Sequence, residues 1–131
     1  MFNDSIADLL TRVRNAANAG HEKVVVPHSK AKESVARIIV SEGFLSGIEV
    51  VGTGKEKALV IDLKYRDDGS PTFSNLQRVS KLGRRIYLKN KEIGASRQGM
   101  GVSIISTSKG IMKDVDAKRM GLGGEVICSI W

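Results

Sequence analysis

Three hydroxyl side chains, a lysine and a glycine stand in unbroken succession at Ser106-Thr-Ser-Lys-Gly110, where a β-branched run ends. Further on, Gly121-Leu-Gly-Gly124 leads into a lone carboxylate, Glu125, and a second β-rich run, Val126-Ile-Cys-Ser-Ile-Trp131. Hydroxyls, an ammonium group and exposed backbone N–H groups on a tight loop suit phosphates and base edges. The same residues also spell Ser-x-x-Lys, the nucleophile motif of penicillin-binding enzymes. Its companions Ser-Asp-Asn and Lys-Thr-Gly are absent, so an acyl hydrolase acting through Ser106 stays a remote alternative, testable with an acylating probe. Gly52-Thr-Gly-Lys55 resembles a phosphate-binding loop only superficially. The first glycine of that pattern would fall at Glu49, and Glu56 replaces the magnesium-binding hydroxyl, so a hairpin turn is the better reading. His21 and His28 lack a carboxylate or cysteine cluster and read as surface loop residues, not metal ligands. Glu125 is a single carboxylate without a fixed partner, which excludes paired-acid chemistry but leaves it able to accept from base amino groups.

Charge separates the two halves of the chain. Residues 1–65 hold nine Lys/Arg and eight Asp/Glu, and residues 66–131 hold twelve and six, so +6 of the net +7 lies in the second half. From Arg78 to Arg97 there are seven basic residues and one acid, Glu92. A basic half beside a near-neutral one implies a polyanion-binding face next to a scaffold. Cys128 is the one cysteine, which rules out an internal disulfide. It is expected to be a buried small hydrophobe. The chain opens without a basic-then-apolar leader and has no apolar run long enough for a bilayer, so a cytosolic protein without membrane contact is expected.

The elements that must hold these residues follow from periodicity. Ile6, Leu9, Leu10, Val13, Ala16 and Ala17 form one helical stripe, starting at a capping-box-like Ser5/Asp8 pair and stopping at Gly20. Val24–Val26 is a short strand ended by Pro27. Ser29 caps a second helix carrying Ala31, Val35, Ile38 and Ile39, and Gly43-Phe44 closes it. Residues 48–51 and 57–63 make a hairpin. The turn-rich Arg66-Asp-Asp-Gly-Ser-Pro71 is the best boundary. It divides the chain into an α-β-α-β-β domain at 1–65, a linker at 66–71 and a β-rich domain with one short helix at 72–131. The fold class is therefore α+β in two small domains. In the second, 73–79 and 84–89 are predicted strands around a turn at 81–83, with Arg85, Tyr87 and Lys89 on one side and Ile86 and Leu88 on the other. Residues 90–100 read as a loop, 101–106 as a strand, 114–120 as a short helix, and the chain closes with a strand from Glu125. Met100, Met112 and Met120 read as gap-filling apolars, and Trp131 as a seal on the edge of the core.

Over essentially its whole length the sequence resembles protein eight of the small ribosomal subunit, in its bacterial form. Ile6-Ala-Asp-Leu-Leu-Thr-Arg-Val-Arg-Asn-Ala16, Val26-Pro-His-Ser-Lys30, Glu42-Gly-Phe44, Arg78-Val-Ser-Lys81 and Arg85-Ile-Tyr87 match the family in order. Ile104-Ile-Ser-Thr-Ser-Lys-Gly110 and Gly123-Gly-Glu-Val-Ile-Cys128 match its C-terminal signature. The resemblance implies two α+β domains and direct binding to the central domain of small-subunit ribosomal RNA during assembly, without a cofactor. By the same resemblance Ser106, Thr107, Ser108, Lys109 and Gly110 form the RNA-reading loop, with Gly123, Gly124 and Glu125 alongside. Tyr87, Arg84, Arg85 and Lys89 add contacts, and Lys30 touches a second RNA segment. It further implies neighbouring small-subunit proteins five and twelve as partners, repression of the protein's own operon messenger, and a monomer outside the ribosome. A free-standing RNA-binding regulator is the alternative, distinguished by whether the protein co-sediments with subunits. Three places depart from the family pattern, the first being Ser5, where Pro is common. Lys113 stands where a helix-capping Thr is usual, and Ala95-Ser-Arg-Gln98 replaces the commoner loop.

Overall fold

The structure, a computed structural model, describes residues 2–94 and 101–131, with side chains from residue 5 onward. Packing divides the chain into two units, Met1–Ser74 and Asn75–Trp131. The expected change in the Ala95–Gln98 loop and the placement of Met100 lie outside the described residues.

In the first unit the stripe Ile6, Leu9, Leu10, Val13, Ala16 and Ala17 is the buried face of α1 (Phe2–Ala19). The helix starts upstream of the expected Ser5 cap. Ser5 lies inside it, and Asp8 pairs one turn on with Arg12 at 3.0 Å instead of closing a capping box. After β1 (Lys23–Pro27), α2 (Lys30–Ser41) starts where the Ser29 hydroxyl accepts the Lys32 N–H at 3.1 Å. It ends as the Phe44 N–H reaches back to the Ile39 carbonyl at 3.2 Å around Gly43. β2 (Gly47–Val51) and β3 (Ala58–Asp62) make the hairpin, and the antiparallel sheet has the order β1-β3-β2. Both helices pack on the face carrying Val26, Leu59 and Ile61, which are fully buried. Each such side chain contributes about 1.5–3 kcal/mol.

Two expectations for this unit fail. His28 is not a surface loop residue: its ring is 11% exposed, and Nε2 lies 2.8 Å from Glu33 Oε1. That hydrogen bond, with a second from Arg37, holds the Glu33 carboxyl below the usual carboxylate range. Residues 66–71 are not a free linker either. The Arg66 N–H reaches the Ser70 carbonyl at 2.8 Å, and Tyr65 bridges Pro71. The Tyr65 hydroxyl donates to the His21 carbonyl at 2.5 Å, and that of Thr72 to the Phe44 carbonyl at 2.5 Å. The segment is a closed turn fastened to the first unit.

In the second unit, β4 (Leu76–Arg78) and β5 (Tyr87–Leu88) share one edge of β8 (Gly124–Ile130); β6 (Val102–Thr107) lies on its other edge, followed by β7 (Gly110–Lys113). The strands expected at 73–79 and 84–89 are much shorter than predicted, because the chain leaves the sheet between them. The Ser80 hydroxyl accepts the Ile86 N–H at 2.8 Å and donates to the Ile86 carbonyl at 3.2 Å, closing a neck for the turn at Lys81–Arg84. β7 was not expected. It pairs with β6 and turns the stretch after Thr107 into a hairpin.

α3 (Asp114–Arg119) covers Ile105, with Ile93, Ala117, Leu88 and Met112 packed around it. Lys113 contributes no capping bond; the Asp114 carboxylate accepts the Val115 N–H at 2.9 Å instead. Asp114 and Asp116 in the first turn and Lys118 and Arg119 in the last complement the helix dipole. Asn90 Nδ2 donates to the carbonyls of Ala117, Lys118 and Leu122, tying the end of α3 to β5. Met112 is the expected gap-filler, whereas Met120 is 51% exposed and fills nothing. Cys128 is buried as expected, and burial pushes its thiol up to about 12.

Candidate nucleic-acid interface

Strand pairing brings the sequence-predicted residues of the second unit onto one rung. Tyr87 of β5 lies opposite Glu125 of β8, which lies opposite Ser106 of β6, itself opposite Ile111 of β7. Directly opposed residues point to the same face, so these four side chains form a row across four strands. Ile105 and Met112, one residue along, point to the α3 side, and the row is therefore on the other face.

The row depends on a β-bulge. Ile104 pairs with Cys128 but Ile105 pairs with Val126, so Ile127 is skipped. Without that extra residue Ser106 would lie opposite Val126. The bulge re-aims β8 and sets a carboxylate, not an isopropyl group, beside the serine. Gly124 makes the approach possible: a Cβ there would come within 2.2 Å of the Ser106 carbonyl oxygen. At Gly123 a Cβ would come within 2.5 Å of the Leu88 carbonyl oxygen. Both glycines thus act first by letting strands meet.

The hairpin tip divides the hydroxyls by role. Thr107 turns inward: its hydroxyl donates to the Gly110 carbonyl at 2.8 Å and accepts the Lys109 N–H at 3.1 Å. It braces the turn. The hydroxyls of Ser106 and Ser108 have no hydrogen-bond partner among the described residues, and Ser108 and Lys109 are exposed. Gly110 adopts φ 112°, a conformation costly for any side chain, while the space around it is open. Ser106 stands on the sheet rung and Lys109 at the tip, with no hydrogen bond between them, so the Ser-x-x-Lys nucleophile arrangement does not form.

Glu125 and Arg85 form a contact that spacing alone could not disclose. Arg85 Nη1 donates to Glu125 Oε2 at 3.0 Å, with side-chain exposures of 26% and 9%. The partner missing from the sequence reading of Glu125 is a basic residue 40 positions upstream. Arg85 is correspondingly a tethered cation, whereas the charged groups of Arg84, Lys89 and Lys109 have no carboxylate partner among the described residues. Tyr87 is 65% exposed, presenting its ring beside the carboxylate. Lys30 is exposed and belongs to the first unit, so it is no part of this row. Among the described residues no group of three His, Cys, Asp or Glu converges on a metal-sized site, and no helix is long and apolar enough to cross a membrane.

The rung unites the two C-terminal stretches, which are far apart in the chain. Residues 4–131 match the family model described as ribosomal protein S8. A small ribosomal subunit protein uS8 from Rubrobacter xylanophilus is 49% identical over 129 residues, covering 98% of each chain. Its counterpart from Finegoldia magna is 46% identical over 131 residues, covering both chains fully. The protein of the same name from Crocosphaera subtropica is 49% identical over 130 residues, covering 98% of each. These are structural proteins of the ribosome and not enzymes, and with such likeness along its whole length the chain belongs to the ribosomal protein S8 family.

Proposed function

We propose that this chain is a structural protein of the cytoplasmic small ribosomal subunit that binds small-subunit ribosomal RNA directly, with its second unit as the reading domain and its first as scaffold. The observation that carries this reading is the row Tyr87–Glu125–Ser106 beside the tip Ser108–Lys109, a polar face in the half of the chain that holds +6 of the net charge. Its chemistry suits RNA. The deep, narrow major groove of an A-form helix hides its base edges from side chains, while small hydroxyls and backbone amides fit the wide minor groove and unpaired bases. Glu125 offers an acceptor for a base amino group or a 2′-hydroxyl, and Tyr87 a surface for stacking. Arg84, Lys89 and Lys109 supply affinity through counterion release. Thr107, Gly110, Gly123 and Gly124 shape the face, and Arg85 aims Glu125.

The finer assignments belong to the same proposal. The target is an irregular stem of the central domain, Lys30 reaches a second RNA segment, and proteins five and twelve are neighbours. A messenger stem of matching shape would be bound by the same face, giving repression of the protein's own operon. The test is hydroxyl-radical footprinting of the full chain on small-subunit ribosomal RNA, with co-sedimentation in parallel. Protection confined to a central-domain stem supports the reading. Protection spread evenly along the RNA, or protein that stays off the subunits, refutes it.

A further inference from the structure

A second cluster of cations lies apart from the hairpin, at the β4–β5 edge of the sheet. Above the Ser80–Ile86 neck, the Lys81 N–H donates to the Arg84 carbonyl at 2.9 Å and the Arg84 N–H to the Lys81 carbonyl at 3.0 Å. Leu82 and Gly83 form the tip. Lys81 and Arg84 are therefore directly opposed, with their Cβ atoms about 4.5–5.5 Å apart on one face, an arrangement in which like charges repel. Neither has a carboxylate partner among the described residues. Their neighbour Arg85, by contrast, is paired with Glu125.

The two cations look onto a pocket of about 270 Å³ lined by Gln77, Arg78, Val79, Lys81, Arg84 and Ile86. Three of these carry positive charge, one carries an amide, and none is acidic. A turn that holds two like charges opposite each other over a basic pocket is destabilised when empty and relieved by an anion between them. Lys81 offers a point charge and Arg84 a planar fork, which together suit the oxygens of one phosphate.

We propose that this turn and pocket form a second RNA-backbone site, in which one phosphate bridges Lys81 and Arg84 with Arg78 at its base. The proposal rests on the reading of the chain as an RNA-binding protein. Its three cations suit backbone phosphate, so the site contributes mainly affinity and register.

The test uses the full chain and its Lys81→Gln/Arg84→Gln variant. Binding to a transcript of the ribosomal central domain and to an unrelated RNA duplex is measured across a range of salt. One lost phosphate lowers the log–log salt slope by about 0.7–0.9 on both RNAs, weakens binding several-fold, and keeps the affinity ratio between the RNAs. The thermal midpoint should not fall, because a repulsion has been removed. Gly83→Ala, whose added methyl meets nothing within 4 Å, should bind like wild type. If the double variant fails to fold, Lys81→Gln carries the test against Lys81→Arg, which keeps the slope. An unchanged slope in the charge-removing variants overturns the site while leaving RNA binding by the rest of the chain intact. An unchanged slope with poor entry into reconstituted subunits overturns it in favour of an acidic protein partner. Wild-type protein that binds neither RNA in a salt-dependent way overturns the underlying reading as well.

Discussion

Replacing Glu125 by Gln removes one charge and almost no volume, so it isolates the ion pair at the centre of the proposed face. Glu125 is buried, and its bond from Arg85 is charge-assisted. Such bonds are worth about 1.5–3 kcal/mol, against about 0.5–1.5 kcal/mol for the neutral bond a Gln amide could make. Breaking a fully buried pair costs about 3–5 kcal/mol. Arg85 keeps 26% of its side chain exposed and can rehydrate by a small swing outward, so the lower scale applies. The expected loss is about 1–2 kcal/mol. Trp131 is the one tryptophan and lies in the second unit, so its fluorescence reports urea unfolding of that unit. The same variant gains a positive charge and frees Arg85 for any phosphate within reach. Affinity for an unrelated duplex should rise, with a salt slope larger by about 0.7–0.9, while affinity for the central-domain transcript falls. A cycle with Arg85→Gln should show non-additive costs of at least about 0.5 kcal/mol. If Glu125→Gln unfolds at the wild-type urea concentration and keeps its discrimination between the two RNAs, the ion pair does not organise the face and the reasoning fails.

Ser106→Ala and Ser108→Ala should each lower affinity for the central-domain transcript several-fold, about 0.5–1.5 kcal/mol per hydroxyl bond, without changing the salt slope; wild-type binding by both would remove these hydroxyls from the reading face. Thr107→Val should reduce both specific affinity and protection of the Lys109 amide from hydrogen exchange, and Thr107→Ser should restore both; full amide protection in the valine variant would mean that the brace is dispensable. Gly124→Ala should destabilise the second unit far more than Gly110→Ala, because the first drives a methyl into a backbone carbonyl and the second meets only the cost of its φ, about 1–2 kcal/mol; urea midpoints rank the two. The Cys128 thiol is raised in the folded state, so its contribution to stability is complete below about pH 9 and is lost as pH rises toward about 12. The stability difference between wild type and Cys128→Val should shift against wild type from about pH 8.5 to about 10.5, and a constant difference would refute the assigned burial effect.

The first unit was readable because its signals are local. The α1 stripe, the Ser29 cap and the Gly43 stop each lie within a turn or two of the bonds they make. The Ser5 start misled because a cap pattern inside an apolar stripe cannot show where a helix has already begun. The second unit was harder because its decisive contacts join distant residues. β7 has four residues and a terminal lysine, too little for alternation to register, yet it makes the stretch after Thr107 a hairpin. The bulge at Ile127 leaves no trace in residue types, and it alone decides whether Ser106 meets Glu125 or Val126. The residues of the face could be named from the chain. Their roles could not, since residue type does not show which hydroxyl is used within the turn and which is left without a partner.

That division of labour has an energetic reason. A flexible loop loses about 0.5–1.5 kcal/mol for each side chain it must order on binding, which would cancel what one hydroxyl bond gains. In the proposed interface the ordering is done before RNA arrives. Thr107 satisfies an N–H and a carbonyl of the turn, the bulge and Gly124 hold Ser106 beside Glu125, and Arg85 fixes the carboxylate. On the proposed reading, the Ser106 and Ser108 hydroxyls and the Lys109 ammonium group, which have no partner among the described residues, can then spend nearly all their interaction on RNA. Charge and shape are also kept apart. Arg85 is neutralised by Glu125, while the charged groups of Lys81, Arg84 and Lys89 have no carboxylate partner among the described residues. An unneutralised Arg85 would attract any phosphate to the centre of the face and blunt the selectivity of the hydroxyls. Holding Arg85 against the buried Glu125 costs desolvation, which the selectivity gained in the proposed interface would offset.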